Sequence, residues 1–179
     1  REGDEVRIEA VNGISRKSAA GDFLVVHTPT GEGELLQDPG LADRLQRYSD
    51  LVEAARLVGA AQAALHCGVN YASQREQFGK IIGTFQGVSH RLAKVAGDVD
   101  AAELLVRKTA FTAAAENGGD GAPPLHFAMM VRAKALAASR LTATNIHQVF
   151  GGNGFAMEYD VQLYSRRIRS WAMRGRRSG

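Results

Sequence analysis

Apolar side chains in the middle of the chain recur at alternating steps of three and four residues. The pattern is clearest between residues 84 and 116, and its members are Phe85, Val88, Leu92, Val95, Val99, Ala102 and Val106. Because one helical turn takes about 3.6 residues, these side chains fall on one face of a helix. The spacing therefore predicts a long helix over residues 84–116 that packs against other helices through this face.

Long helical segments are also predicted on both sides of this one. Residues 44–74 contain no proline and are rich in alanine, leucine and arginine, and we expect their helix to stop near Phe78 and Gly79. Residues 125–150 follow a Pro-Pro pair, which can start a helix. This third helix carries small residues that permit close approach of a neighbour, namely Ala133, Ala135, Ala137, Ala138 and Ser139.

The predicted helices form a bundle that follows a short β segment. A fourth, shorter helix is expected from Tyr159 or Val161 to about Met173, and long helices joined by short loops predict an up-and-down four-helix bundle. Residues 1–40 hold two β-prone runs, "EVRIEAV" and "DFLVVHT", with the turn-rich stretch "NGISRKSAAGD" between them. Such strands do not make a stable sheet alone. We therefore expect a mostly α chain, with a piece of a sheet domain at 1–40 and a helical bundle domain at 41–179.

Composition narrows the class of protein. Hydrophobic residues make up 45% and charged residues 23% of the chain, which is typical of a soluble globular domain. No apolar run reaches the roughly 18 residues of a membrane span, so a membrane is not an expected partner. The start, "REGDEVRIEA", does not resemble a signal peptide, and Cys67 has no second cysteine for an internal disulfide. These features predict a cytoplasmic protein in which Cys67 is a buried thiol.

Much of the net charge of +3 lies at the C-terminal end, in "SRRIRSWAMRGRRSG". A basic tail is either a solvated surface or a binding segment for an acidic partner or nucleic acid. Aromatic residues do not alternate with these basic ones as they do in single-strand binders, so nucleic acid is not expected. A helical interaction module with a basic tail is the alternative from another class of protein.

Metal and Ser-His-Asp sites are not predicted. The histidine, cysteine and carboxylate positions show neither the cysteine pairs nor the His-x-x-x-His spacing of zinc sites. Residue order alone supports no Ser-His-Asp arrangement. His66 and His90 fall within predicted helices and are interpreted as core or surface residues.

One stretch, "YASQREQFGKIIGTFQ", places polar side chains where one predicted helix ends and the next begins. Arg75 at such a corner can donate paired hydrogen bonds to phosphate oxygens. Phe78 can cover a flat ring, and Gln86 can bond a sugar or a base edge. The same residues also fit an ordinary interhelical turn with a surface arginine and a buried phenylalanine, and spacing alone does not decide between the two.

A second stretch, "HQVFGGNGFAMEYDV", ends the third predicted helix with three glycines in four positions. A helix stop needs only one glycine. The excess predicts either a loop that only has to turn or a backbone that a large ligand approaches without a Cβ in the way. Because the glycines end a helix and no strand precedes them, this is not the phosphate loop of dinucleotide-binding folds.

Together, "REQFGK" with "FQ" after it and "HQVFGGNGFAMEYDV" about sixty residues later resemble the C-terminal helical domain of the acyl-CoA dehydrogenase family. The resemblance covers most of the chain from about Arg44 to Arg169. Residues 1–40 resemble the end of that family's middle β domain. We therefore expect the chain to be a fragment of a longer protein with a further helical domain and the rest of the β domain.

This resemblance implies FAD bound across a subunit interface in a homo- or hetero-oligomer, a dimer or tetramer. It also implies α,β-dehydrogenation of an acyl-CoA thioester, with the electrons passing to an electron-transfer protein. Arg75 would meet the pyrophosphate of the neighbouring subunit's FAD, and His147 would lie near the cofactor. The residues that match the flavin-contacting positions are Arg75, Gln77, Phe78, Gln86, Gln148, Gly151 and Gly152.

The positions that would hold the catalytic base depart from the family pattern. After the fourth helix, members usually have an arginine-aspartate pair and a Tyr-Glu-Gly turn, but this chain has residues 166–169 as "RRIR" and Arg174 about where the glutamate would stand. Other members place the base near the start of the first helix, where this chain has Ser49 beside Asp50, with Glu53 one turn on. We interpret both carboxylates as solvated or capping residues, so the catalytic base is unknown. The open alternatives are a base elsewhere in a longer protein, different chemistry, and a non-catalytic subunit that completes a partner's FAD site.

Overall fold

The computed structural model describes residues 6–8, 14–17, 23–26, 34–36, 38, 40–115 and 121–174. Within these ranges four α-helices follow in chain order: α1 (Leu41–Gln74), α2 (Gln86–Ala115), α3 (Leu125–Phe150) and α4 (Val161–Arg174). Each corresponds to a predicted helix. The mostly α fold class and the four-helix bundle are confirmed.

Short strand pairs precede the helices. Strand β1 (Val6–Ile8) pairs antiparallel with β4 (Glu34–Leu36), and β2 (Ile14–Lys17) pairs antiparallel with β3 (Phe23–Val26). β1 and β3 fall in the two predicted β-prone runs. β2 lies in the stretch interpreted as turn-rich, so that interpretation is wrong for residues 14–17, which form the partner strand of a hairpin. The division of the chain into two domains at residue 40 stays a prediction.

Helices α1 and α3 pack side by side and run in the same direction. Their contacts extend from the ion pair of Asp50 with Arg132, near the start of both helices, to the stacked rings of Tyr71 and Phe150 at their ends. Small and medium side chains fill the space between the helices. The central cluster contains Ala54, Leu57, Val58, Ala60, Ala102, Val131, Ala135, Ala138, Ala143 and Ile168.

Only one face of α3 takes part in this contact. Of its small residues, Ala135, Ala138 and Ser139 are buried, as the close-approach prediction requires. Ala133 and Ala137 are exposed, so the prediction is wrong for these two. The reason is the helical period, because residues two positions apart point in different directions around a helix.

The predicted seam of α2 faces the core. Its central members Leu92, Val95, Val99 and Ala102 are buried, as the alternating three- and four-residue steps require. Helix α4 closes the bundle through Val161, Ile168 and Ala172, which are also buried. The bundle is therefore held by one apolar face from each helix.

The first helix ends earlier than predicted. α1 stops at Gln74, and the chain then forms a small hairpin of β5 (Glu76–Gln77) and β6 (Lys80–Ile81). The two residues at its tip, Phe78 and Gly79, both have positive φ, 57° and 77°. A two-residue hairpin loop with positive φ at both positions matches the twist of its strands. Gly79 therefore turns a hairpin rather than ending the helix.

Within the ranges given above, no helix is long and apolar enough to cross a membrane, and no three histidine, cysteine or acidic side chains gather as a metal site requires. Cys67 is half-buried rather than buried. Burial, and then the negative charge of Asp160, raise the pKa of the Cys67 thiol, which favours the unreactive protonated form.

Two glycines offer a matched test of the packing that holds the hairpin corner. A Cβ on Gly83 would lie 2.9 Å from the carbonyl oxygen of Ala72, whereas a Cβ on the exposed, mid-helix Gly59 would meet nothing within 4 Å. Gly83→Ala should destabilise the protein by about 1–3 kcal/mol, because backbone must move. Gly59→Ala should stabilise it by about 0.5–1 kcal/mol through better helix propensity. Urea unfolding followed by circular dichroism measures both, and equal midpoints would contradict this packing.

Candidate functional site

One end of the bundle contains a cleft of about 490 Å³. It lies where α1 ends, where α2 begins and where α3 ends, so three helix termini meet around it. The lining residues are Tyr71, Arg75, Gln77, Phe78, Ile82, Phe85, Val88, Gln148, Val149, Phe150, Gly151, Gly152 and Asn153. The two stretches singled out in the sequence therefore both line one cleft.

Most of the predicted flavin-contacting residues line this cleft. They are Arg75, Gln77, Phe78, Gln148, Gly151 and Gly152. Gln86 is the first residue of α2 and is exposed beside the cleft, but it is not among the lining residues. His147 also lies outside the lining, one residue from Gln148. The cofactor-contacting role of all these residues stays a prediction.

Arg75 sits at the junction of α1 and the hairpin. Its backbone N–H donates to the Tyr71 carbonyl at 2.9 Å, and its own carbonyl accepts from the Ile82 N–H at 2.8 Å. These two bonds fix the corner from both sides, while the Arg75 side chain is exposed at the cleft. The guanidinium is therefore carried by a rigid backbone and is available to an anionic ligand.

Phe78 does not fit the alternative of a buried phenylalanine at an ordinary turn. The residue is 93% exposed and has a φ of 57°, which is unusual for a bulky residue. The rings of Phe78 and Phe85 pack edge to face, with their centroids 6.2 Å apart. A strained backbone that displays an aromatic ring to the outside is a candidate functional feature.

The floor of the cleft is aromatic, and the sequence analysis did not identify it. The Tyr71 ring stacks on Phe150 with centroids 4.1 Å apart, and the Tyr159 ring meets Tyr71 edge-on at 5.7 Å. The Tyr71 hydroxyl accepts a hydrogen bond from Asn153 Nδ2 at 2.9 Å, which ties the floor to the glycine bend. One signal was present, because Tyr71 lies four residues before Arg75, within the last turn of α1.

The three glycines of the bend have different reasons to be glycine. Gly151 has a φ of 58° and ψ of −135°, a conformation that residues with a Cβ rarely adopt. A Cβ on Gly154 would lie 2.8 Å from His147 Nδ1, so this glycine is required by packing. Gly152 has open space around its missing Cβ and lines the cleft. Its backbone is thus open to close approach from outside.

The carboxylates of α1 are engaged in ion pairs. Asp50 accepts from Gln46 at 3.0 Å and pairs with Arg132 at 3.3 Å, and both members of this pair are largely buried. Glu53 pairs with Arg56 at 2.8 Å. The interpretation of Asp50 as a solvated or capping residue is therefore wrong, because it links α1 to α3. Glu53 is also largely buried inside α1, so the same interpretation is wrong for it, and its Oε2 atom has no hydrogen-bond partner among the described residues.

His147 stabilises the glycine bend that follows α3. Its carbonyl accepts the Gly151 N–H, and its ring lies 5.3 Å from that of Phe155. Nδ1 is buried and has no hydrogen-bond partner within the part of the chain that the structure describes. Burial, and then the positive charge of Arg169, lower the pKa of His147 below its ordinary value, so the neutral ring is favoured.

A family model described as the C-terminal domain of acyl-CoA dehydrogenase matches residues 28–174. Because this match covers most of the chain, the chain belongs to the acyl-CoA dehydrogenase family. The recognition made from the two motifs is confirmed.

The chain is similar to proteins that are considerably longer. The acyl-CoA dehydrogenase FadE34 of Mycobacterium tuberculosis is 36% identical over 165 residues, which are 92% of this chain and 22% of the relative. Glutaryl-CoA dehydrogenase of Desulfococcus multivorans is 33% identical over 156 residues, which are 85% and 39% of the two chains. The structure of butyryl-CoA dehydrogenase from Megasphaera elsdenii matches with a TM-score of 0.67 at 28% identity, over 83% of this chain and 38% of that one. The chain thus spans between about a fifth and two fifths of the proteins it resembles.

The environment of His147 predicts a pH dependence. Below the ordinary histidine pKa of 6.5, the unfolded chain takes up a proton that the folded chain resists. Stability should therefore be lost as pH falls through that value, until the lower folded pKa is reached. His147→Gln removes this proton uptake, so its thermal midpoint should fall less than that of the wild type between about pH 7 and pH 5.

His126→Gln is the matched control, because His126 is an exposed histidine near the start of the same helix. Differential scanning fluorimetry across this pH range measures all three proteins. A His147→Gln variant whose midpoint follows the wild type and the control would contradict the burial of a neutral ring.

Proposed function

We propose that this chain forms the C-terminal helical domain of an FAD-dependent acyl-CoA dehydrogenase, and that its cleft holds part of an FAD shared with a neighbouring subunit. The reaction is the α,β-dehydrogenation of an acyl-CoA thioester, with the electrons passed to an electron-transfer protein. The observation that carries the proposal is the convergence of two distant motifs, represented by Arg75 and Gly151, on one cleft. When bound, FAD supplies the acceptor for the hydride that leaves the substrate.

The chemistry of the cleft suits a dinucleotide. The Arg75 guanidinium offers a planar set of donors for phosphate oxygens. Phe78, Phe85 and Phe150 offer apolar surface for a flat ring. Gly152 lets main chain approach the ligand closely. A ligand with phosphates, sugars and an aromatic ring would use all three kinds of surface at once.

The surroundings of the cleft favour a second protomer as its cover. Phe78 is 93% exposed, and Phe155 and Met157, which follow the glycine bend, are 77% and 73% exposed. Apolar side chains this exposed on both sides of a binding cleft are typical of an interaction surface. This supports an oligomer, homo- or heteromeric, in which the cleft and the neighbouring subunit enclose the cofactor together.

A second candidate within the family is a subunit that completes a partner's FAD site and does no proton abstraction itself. Two observations favour it. The α4 segment, Val161–Arg174, contains no aspartate or glutamate, and Asp50 and Glu53 on α1 are held in ion pairs. A catalytic base for this assembly would then come from a partner chain.

The alternative of a helical interaction module with a basic tail stays a prediction, because residues 175–179 of that tail lie outside the described residues. Its signature would be a colourless protein whose tail-dependent binding to nucleic acid weakens steeply with salt.

The absorbance spectrum of the protein, purified in its natural assembly, tests the proposal. We expect oxidised-flavin absorbance that is bleached by a matching member of an acyl-CoA panel. A flavin-containing assembly with a related second chain, whose bleaching is abolished by changes in that chain alone, would favour the non-catalytic subunit. A colourless assembly that does not take up added FAD would contradict both.

Arg75→Leu tests the phosphate-binding corner. Loss of a charge-assisted, paired contact should raise the Kd for FAD by about 10- to 100-fold, with little change in the unfolding midpoint because the Arg75 side chain is exposed. Arg140→Leu is the control, since Arg140 is an exposed arginine of α3 away from the cleft lining. Fluorescence titration of the apo assembly with FAD measures both Kd values. Equal Kd values for the two variants would contradict the role given to Arg75.

A further inference from the structure

Arg91 of α2 bridges two amide side chains of α3 beside the cleft. Its Nη1 atom donates to Asn145 Oδ1 at 2.9 Å and also to Gln148 Oε1. Asn145 and Gln148 lie about one helical turn apart, so both present their amides to the same face of α2. One guanidinium nitrogen carries two hydrogens, which is one for each oxygen.

This contact fixes which way the Gln148 amide faces. A guanidinium has only donors, so the amide atom that meets Arg91 must be the oxygen. The NH₂ group of Gln148 then points away from Arg91, and among the described residues it has no protein hydrogen-bond partner. Asn145 follows the same logic, because its own NH₂ group donates to the Leu141 carbonyl at 2.7 Å.

The charge on Arg91 is also uncompensated by nearby carboxylates. Within the described ranges its guanidinium forms no ion pair and bonds only to the two neutral amides. Val88, one turn earlier on α2, and Gln148 both line the cleft, so this cation lies at its edge. An oriented amide donor and an unpaired positive charge together favour a ligand group that accepts hydrogen bonds and carries negative charge.

We propose that Arg91 is a positioning residue that turns the Gln148 NH₂ group into the cleft, so that Gln148 and Arg75 together donate to the phosphate oxygens of the dinucleotide. This inference rests on the proposed function, because it takes the cofactor as the ligand. It adds a residue outside the cleft lining to the binding machinery. Arg91 acts through Gln148 and does not itself touch the ligand.

A double-mutant cycle in the natural assembly tests this proposal, with the Kd of the apo assembly for FAD as the readout. Arg91→Met removes the donors and keeps the apolar stem, and it should raise the Kd about tenfold. In a Gln148→Leu background the same change should alter the Kd less than about twofold, because the group that Arg91 orients is gone. Arg91→Lys keeps a charged ammonium group, and its Kd should lie between those of the wild type and Arg91→Met.

Asn145→Leu separates positioning from simple helix packing. It removes the other partner of Arg91 and leaves the bond to Gln148, so it should lower the unfolding midpoint without raising the Kd more than about twofold. A merely structural Arg91 would give similar Kd changes for Asn145→Leu and Arg91→Met. That result would overturn the inference. So would an unchanged Kd for Arg91→Met, or a full effect of this change that persists in the Gln148→Leu background. In each of these cases, flavin binding by the wild type would still uphold the proposed function. A wild-type assembly that binds no FAD would overturn both.

Discussion

The parallel packing of α1 against α3 brings the candidate site together. Arg75 follows the end of α1 and Gly151 follows the end of α3, and these residues are 76 positions apart in the sequence. They meet because small buried side chains such as Ala135 and Ala138 let the two helices approach closely along their length. The Tyr71–Phe150 stack, at 4.1 Å, locks the two helix ends in register directly beneath the cleft. A shift of one helix by a single turn, about 5.4 Å, would separate the two motifs.

The helix ends around the cleft influence its electrostatic potential. The ends of α1 and α3 place carbonyl groups there, and helix C-termini carry partial negative charge that disfavours an anion. The start of α2 partly offsets this, since a helix N-terminus carries partial positive charge. Arg75 adds a full positive charge to the cleft lining, and the Gln148 amide that Arg91 contacts adds a hydrogen-bond donor. A phosphate-bearing ligand would therefore owe its binding to these side chains, in contrast to sites built on helix N-termini alone.

The sequence predicts the helices well because each buries one face, and the alternating spacing of Leu92, Val95, Val99 and Ala102 shows that face directly. It predicts the hairpin after α1 poorly. The Phe78-Gly79 tip lacks the Asn-Gly or Asp-Gly pair that usually marks such a turn, and its positive φ at a phenylalanine runs against local preference. The contacts of Asp50 with Arg132 and of Arg91 with Gln148 were also missed. Both join residues far apart along the chain, and a single sequence contains no local pattern that reports such pairs.

Among the residues of the candidate site, too, some were predicted from the sequence and others were not. Arg75 was singled out as a phosphate-binding type of side chain at a helix corner, the glycines because three fall within four positions, and Gln148 through the family resemblance. Tyr71 and Phe150 were not, because aromatic residues on apolar helix faces look like ordinary core. Their position in the cleft follows from tertiary packing.

A structure of the natural assembly with FAD bound would test the shared-cofactor site most directly. The distances to measure are those from the Arg75 guanidinium and the Gln148 amide nitrogen to the pyrophosphate oxygens of the nearest FAD. We predict hydrogen-bond distances for both, of roughly 2.7–3.2 Å, to an FAD held mainly by a neighbouring protomer. A bound FAD lying far from both side chains, or a cleft that faces only solvent in the assembly, would contradict the account.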